Sequence, residues 1–413
     1  MSTLNSTKDN SNPSLLSINT VNWFYAFSII IPVVIIPLYA KSLGATLFQA
    51  SIMVGIFYGV NAVAGVIIGS LSDIIGRRKP FLLSSSIGTA VVFILIAFTD
   101  VPFLLILMMG LFGVITAAFL PCMMGLISEI SSKAEKGKNM GLLNTSTSLG
   151  WAGGSFLGGL VSGQFNFQIT FISGCIIACI ATVLTIFSLR ETRTNVASDS
   201  NRDFRMVIIA LKNRFLPSGG ESSYLKENGL SWFYFIIFLR YTAYLGSFAL
   251  LPIFFASIAS TFWAGMLVAI YMGVSGVLMT PIGNFSDKYG RKPIVIFGLV
   301  GTSIALVLYA FSYSLLLLIL IQLFYSLVFA SIYTGGSAFV SDVAPESKHN
   351  EAMGFLNSSI TFGAVVGSII AGIIAEMFGI RIMFLILAIF PVFGALVVLF
   401  RIQETVSLQQ HTI

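Results

Sequence analysis

Twelve runs of predominantly apolar residues follow one another along the 413-residue chain, over approximately 20–40, 47–71, 81–98, 103–127, 140–163, 169–189, 234–258, 262–284, 294–312, 314–340, 353–375 and 380–400. Each is close to the ~20 residues that carry a helix across the hydrocarbon of a bilayer. Hydrophobic residues make up 56% of the chain and charged residues 9%. That leaves too little charge to wet a soluble domain of this size, so lipid has to cover most of the surface. Backbone groups in lipid must be satisfied within each segment, so the runs are read as helices. The fold class is therefore all-α and integral to the membrane, with twelve transmembrane helices.

The few charges are clustered. With an even number of spans both termini share one side, and 19 of the 22 Lys and Arg residues fall there. The other side holds Lys41 and Arg381, and Arg240 lies inside a span. By the positive-inside rule the rich side is cytoplasmic, which places both termini in the cytoplasm of a multi-pass protein of the cell membrane. The net charge of +6 then reports topology, and a nucleic-acid partner is not needed to explain it. Residues 1–18 and 403–413 read as polar cytoplasmic tails, with no cleavable signal peptide, and 190–233 as a cytoplasmic linker. Within that linker, 203–214 is basic and amphipathic, suited either to anionic lipid or to the protein's own cytoplasmic face. Three cysteines, all within spans, make no disulfide framework, and no ligand cluster points to a metal.

The linker separates two related halves, 19–189 and 234–402. Residues 69–80 read Gly-Ser-Leu-Ser-Asp-Ile-Ile-Gly-Arg-Arg-Lys-Pro, and 283–293 read Gly-Asn-Phe-Ser-Asp-Lys-Tyr-Gly-Arg-Lys-Pro. Gly69, Asp73, Gly76 and Arg77 recur 214 positions later as Gly283, Asp287, Gly290 and Arg291. Further on, Glu129 matches Asp342 at an offset of 213, Gly150, Gly154 and Gly159 match Gly363, Gly367 and Gly372, and Glu191-Thr192 matches Glu404-Thr405. Each copy holds six spans and enters the membrane in the same orientation, giving a parallel repeat of two six-helix bundles.

The twice-written loop, with Arg77-Arg78 in its first copy, resembles the loop motif of the major facilitator superfamily, and the six-plus-six arrangement is similar to that superfamily over nearly the whole chain. The resemblance implies two bundles rocking about a central cavity lined by spans 1, 4, 7 and 10. It also implies that Asp73 docks on the start of span eleven and latches the cytoplasmic side shut. Asp287, Arg291 and Asp342 would form the mirrored latch with span five. The residues themselves agree with that role: Gly76 allows a tight turn, and Arg77 can hold Asp73 or Glu129 by charge-assisted hydrogen bonds. The plain alternative is that these charges set topology alone.

Span five carries Gly150, Gly154, Gly158 and Gly159, and span eleven carries Gly363, Gly367 and Gly372. Small residues at this spacing let helices pack closely in a membrane. The first set resembles the Gly-x-x-x-Gly-Pro-x-x-Gly-Gly of superfamily antiporters, with Ser155 in place of Pro. Proton-linked exporters of the superfamily typically place an Arg four residues before a Gly in span four. Here that position is Met109, and its counterpart in span ten is Gln322. No carboxylate lies at a span centre, so any proton coupling is expected at the Asp73/Glu129 edge. Arg240 is expected either to snorkel toward the cytoplasmic interface or to meet an anionic substrate. Tyr25, Tyr58, Asn61, Tyr241, Tyr244, Tyr271, Tyr333 and Thr334, with Gln322, can supply polar tips in an apolar cavity.

These features point to a monomeric secondary transporter that moves a small organic solute by alternating access, with lipid and protons as its other partners and no cofactor. Efflux of amphiphilic or drug-like compounds is the narrower expectation. A metabolite uptake symporter or facilitator is the competing one, and a sensor built on the same fold a third. No nucleophile–base pair or phosphate-cradling loop suggests an enzyme.

Overall fold

The computed structural model describes residues 14–132, 135–189, 191, 229–345 and 348–404. The expected amphipathic segment 203–214, most of the linker and most of both tails lie outside these residues. The first half comprises α1 (Leu15–Ser42), α2 (Leu47–Ile75), α3 (Lys79–Ala97), α4 (Pro102–Thr116), α5 (Phe119–Ile130), α6 (Lys136–Gln164) and α7 (Phe167–Ser188). The second comprises α8 (Leu230–Ile258), α9 (Thr261–Tyr289), α10 (Arg291–Ala310), α11 (Leu315–Val343), α12 (His349–Phe378), α13 (Ile380–Leu387) and α14 (Ile389–Arg401).

These fourteen helices make twelve spans, because α4/α5 and α13/α14 are each one span interrupted near its middle. Proline explains both breaks. Pro121 and Pro391 have no N–H to donate to Ala117 and Leu387, four residues earlier. Eleven spans are long and apolar enough to cross a membrane by length and composition alone. The remaining one, α6, has 29 residues but is diluted by Gly, Ser, Thr and Asn.

Several spans begin earlier than the apolar runs. Ser14 caps α1 by accepting the Ser17 N–H at 3.1 Å, which draws part of the expected N-terminal tail into the helix. The seventh span starts at Leu230 instead of 234, behind Gly229 in the left-handed region (φ 78°). Four further residues of helix carry Arg240 deeper than the sequence suggests.

Within each half, glycines allow helix backbones to touch. On α6, a Cβ at Gly150 would lie 2.6 Å from the carbonyl oxygen of Trp23 on α1, and one at Gly154 would collide with that of Phe27. Gly158 faces Ile31 and Ile35 of the same helix. In the second half, Gly363 and Gly367 of α12 play the same part against Phe238 and Thr242 of α8.

The two halves meet along two seams, α2 with α12 and α6 with α9. In the first, the Ser51 hydroxyl donates to the Ser368 carbonyl at 2.7 Å, and Gly372 lies against Phe48 and Ser51. Glu376, at the end of α12, accepts the first N–H of α2, from Leu47, at 2.7 Å. A carboxylate is favoured at that helix N-terminus. In the second, a Cβ on Gly159 would fall 2.7 Å from both Gly265 Cα and the Phe262 carbonyl oxygen.

Both seams fade along their length. The last close approaches are Gly59 to Val365 and Gly276 to Ser148. Toward the end that carries the two repeated loops, a Cβ added to Gly141, Gly283 or Gly354 would meet nothing within 4 Å. Among the described residues the seams are therefore tight at one end and parted at the glycines of the basic end.

The two kinds of glycine should respond differently to a side chain. Gly367→Val overpacks one bundle, a class of change that costs about 1–3 kcal/mol, and should lower the Tm in detergent. Gly159→Val should instead part a seam. It should raise labelling of a single cysteine at Ala152, probed from the end opposite the basic loops in a background without the native cysteines. Unchanged labelling in a folded protein would show that glycine contact does not close that seam.

Candidate functional site

The repeated loops hold two matching polar networks. Gly76 ends α2 in the left-handed region, φ 70° and ψ 17°, with its N–H on the Ser72 carbonyl. The residue that turns back is Arg78. Its Nη2 lies 2.7 Å from Asp73 Oδ1 and 3.3 Å from Glu129 Oε1, and its Nη1 donates to Ser72 Oγ at 3.4 Å. Gly125 leaves room for the guanidinium, because a Cβ there would sit 2.5 Å from Arg78 Cζ. In the second half, Arg291 pairs with Asp287, donates from Nε to Asp342 Oδ2 at 2.9 Å and from Nη1 to Ser286 Oγ at 3.2 Å.

This corrects the sequence assignment of Arg77, which is exposed. Arg78, not Arg77, is the counterpart of Arg291. The first turn contains one extra residue after Gly76, and this is where the offset between the halves drops from 214 to 213. The Lys-Pro pair that follows carried the signal, since Lys79-Pro80 and Lys292-Pro293 are also 213 apart. Burial lowers the tendency of the Arg78 guanidinium to hold its proton, but Asp73 and then Glu129 outweigh it, so its pKa is raised.

The Glu191 and Glu404 exits complete the networks. Glu191 accepts the backbone N–H groups of Arg78 and Lys79 at 2.7 and 3.2 Å, and Glu404 accepts those of Arg291 and Lys292 at 2.8 and 3.0 Å. Each carboxylate thus caps a helix N-terminus, α3 or α10, tying the third span of a half to its sixth. Asp73 does not reach the start of α12 in this conformation. Among the described residues it bonds Arg78 and no residue of α12, because the basic ends of the halves stand apart.

A second polar group lies deep in the molecule. Arg240, ten residues into α8, is fully buried, so it does not snorkel. Its Cζ stands 4.4 Å from the ring centroid of Tyr241, 4.6 Å from that of Tyr244 and 5.5 Å from that of Phe329. Tyr244 and Tyr271 share a hydrogen bond of 2.5 Å between their hydroxyls, and Tyr325 packs on both rings at 5.7 and 5.5 Å. Tyr58 comes from α2 of the other half, which packs against α8, and Tyr333 stacks on Phe329.

The structure thus gathers Arg240, Tyr58, Tyr241, Tyr244, Tyr271 and Tyr333 into one aromatic box, and adds Tyr325 and Phe329. The sequence did hint at the last two. Gln322, Tyr325, Phe329 and Tyr333 fall at i, i+3, i+7 and i+11, one face of α11. The remaining candidates lie elsewhere. Tyr25 stacks on Phe119 inside the first bundle, ring centroids 3.4 Å apart. Asn61 donates to the Gly113 carbonyl at 3.1 Å, which is freed where Ala117 bonds Val114 instead. Gln322 accepts from the Tyr309 hydroxyl at 3.0 Å, and Thr334 bonds back to Ala330 within its own helix. The box draws on spans 2, 7, 8 and 10, where the resemblance implied 1, 4, 7 and 10.

The sequence profile of the Major Facilitator Superfamily matches residues 18–259 and 233–412, nearly the whole chain. The chain belongs to this superfamily. Among similar major facilitator proteins, an uncharacterized MFS-type transporter of Methanocaldococcus jannaschii is 25% identical over 373 residues, 90% of this chain and 93% of that one. The multidrug resistance protein MdtG of Salmonella paratyphi C is 24% identical, covering 91% of this chain and 93% of its own. The multi-drug resistance efflux pump PmrA of Streptococcus pneumoniae is 33% identical, but over 35% of this chain and 36% of its own. Two solved structures share the major facilitator fold. A mutant of the nucleoside transporter NupG aligns with a TM-score of 0.75 at 18% identity, covering 94% of this chain and all of that one. A bacterial homolog of the lysosomal transporter Spinster, inward-facing and occupied, aligns with a TM-score of 0.76 at 12% identity, over 93% of this chain and 95% of that one. This chain is therefore a multi-pass membrane protein and a secondary transporter.

The two adjacent arginines should separate cleanly by mutation. Arg78→Ala removes the cation beside the part-buried Glu129, while exposed Asp73 is screened by solvent. A loss of about 1–2 kcal/mol and a lower Tm are expected. Arg77→Ala should leave the Tm unchanged, and equal losses for the two would refute this assignment of the pair.

Proposed function

We propose that the chain exports amphiphilic organic solutes by alternating access, with its basic end in the cytoplasm. The observation that carries this reading is the pairing of two seams closed at one end with an aromatic box beneath them that takes residues from both halves. A box at the junction of two bundles is exposed in turn to each side as the bundles rock. The basic residues described at the parted end, Arg77, Arg78, Lys79, Arg291 and Lys292 among them, orient that end inward by the positive-inside rule, and the conformation is then inward-facing. The full-length similarity to a protein named for multidrug resistance supports the export direction, and the breadth of aromatic surface supports amphiphilic cargo.

The polar networks at the basic loops are then the moving latch. In the inward-facing state Asp73 is held by Arg78. On closure, Asp73 is well placed to exchange part of that contact for the N-terminus of α12, as a carboxylate is favoured there. Asp73 and Glu129 are also the carboxylates through which proton coupling would act, because no acid lies at a span centre. The mirrored set of Asp287, Arg291 and Asp342 would serve α6 in the same way.

The test uses inside-out proteoliposomes and a lipophilic fluorescent dye. Uptake driven by an imposed pH gradient is expected, and Asp73→Asn should reduce it several-fold while shifting the balance of accessible states. Dye that equilibrates without regard to the gradient would favour a facilitator. No movement of any solute would overturn the transport assignment to this site.

A further inference from the structure

Among the described residues Arg240 is the bulkiest fully buried side chain, and none of its three guanidinium nitrogens meets an acceptor with hydrogen-bond geometry, although the Tyr241 hydroxyl is close by. Among the described residues no Asp or Glu forms an ion pair with it. The groups that act on it electrostatically are the tyrosines 325, 241, 244 and 271. A guanidinium cannot shed its charge as a lysine can. Removing an ion from water is costly even after the protein relaxes. Cation–π contact is weaker than that cost, so the rings at 4.4 and 4.6 Å offset only part of it.

Location says what the charge is for. A cation whose task was to fix the fold would be expected to have a partner carboxylate or carbonyl in the chain. This one instead sits about 15 Å along α8, at 1.5 Å per residue, on the side of the box that Tyr58 of the opposite half completes. Its fork of donors faces no carboxylate or carbonyl of the described residues, and the apolar faces of Tyr244 and Phe329 flank it. Two oxygens of one oxyanion, a carboxylate or a sulfonate, satisfy such a fork with two hydrogen bonds.

We infer that Arg240 and its tyrosines form an anion-binding subsite, which takes the carboxylate or sulfonate head of a solute whose aromatic or apolar body lies along the box. This rests on the transport reading for the location of the cargo. The selected cargo is an amphiphilic organic acid, in preference to the corresponding neutral or cationic compound.

The experiment measures thermal shift and affinity of the full chain in phosphatidylcholine nanodiscs with matched pairs, 4-phenylbutyrate against 4-phenylbutyramide and naphthalene-2-sulfonate against its sulfonamide. Each acid should bind at least about tenfold more tightly than its amide and raise the Tm by mass action. Arg240→Met should abolish that preference, while leaving the ligand-free Tm equal or higher, since it removes a buried unpaired charge. Arg240→Lys should retain a weakened preference. Equal shifts by acids and amides, or no shift with any acid, overturn the subsite. So does a loss of ligand-free Tm in Arg240→Met with acid preference intact, which marks a structural residue. A shift produced by added phosphatidylglycerol and by no free acid overturns the assignment to a solute and names a lipid headgroup instead. Flux in proteoliposomes separates the two readings: a transported amide with no acid preference removes the subsite and leaves the transporter. Acid-dependent shifts with no flux do the reverse.

Discussion

Backbone-to-backbone contact at glycine is the constraint on which the rest of this molecule depends. In lipid there is no hydrophobic gain from pressing one apolar helix on another, so close packing has to supply the attraction. Gly150 and Gly154 of α6 lie on the backbone of α1, and Gly363 and Gly367 of α12 lie on that of α8. The next turns of the same two helices, at Gly159 and Gly372, touch the opposite half. Each of α6 and α12 therefore binds its own bundle on one face and forms a seam on another. That double duty aligns the closed end and leaves α8, with Arg240, facing the junction.

The repeated loops act on this frame as struts. Each arginine gathers two acids and a serine at the foot of a helix, and each terminal glutamate caps the helix that follows. Much of this was legible in the sequence, because a duplication offers its own alignment. Twelve spans, two halves and the pairing of Glu129 with Asp342 all follow from hydropathy and offset. The register within the loop did not, because Arg77 and Arg78 are the same residue type and the first motif match stops at the wrong one. The Lys-Pro pair after each loop holds the true offset, and the αL glycine Gly76, which absorbs an extra residue into the turn, accounts for the shift.

The aromatic box was less legible for a different reason. A chain with 37 Phe and 13 Tyr gives no compositional contrast between a ring that packs and one that lines a site. Tyr25 and Tyr241 look alike in sequence, yet one is stacked on Phe119 and the other lies on a guanidinium. Asn61 has the look of a cavity residue in sequence because the proline break in span four frees a carbonyl that only the folded chain reveals. Arg240 stood out as the one charge within a span, but its depth depended on where α8 begins, and a four-residue error in that boundary changed an interfacial side chain into a buried one.

Gly141 and Gly354 occupy equivalent places in the two copies, as do Gly69 and Gly283. Three of these four have open space where a side chain would go. A glycine weakens a helix relative to alanine, so its retention in both copies of a duplicated sequence has no return in the conformation seen here. Under the proposed alternating access, packing for these residues would come in the opposite state, in which the basic ends come together. On that reading part of the closed structure would already be recorded in the open one, as notches left for an approaching backbone.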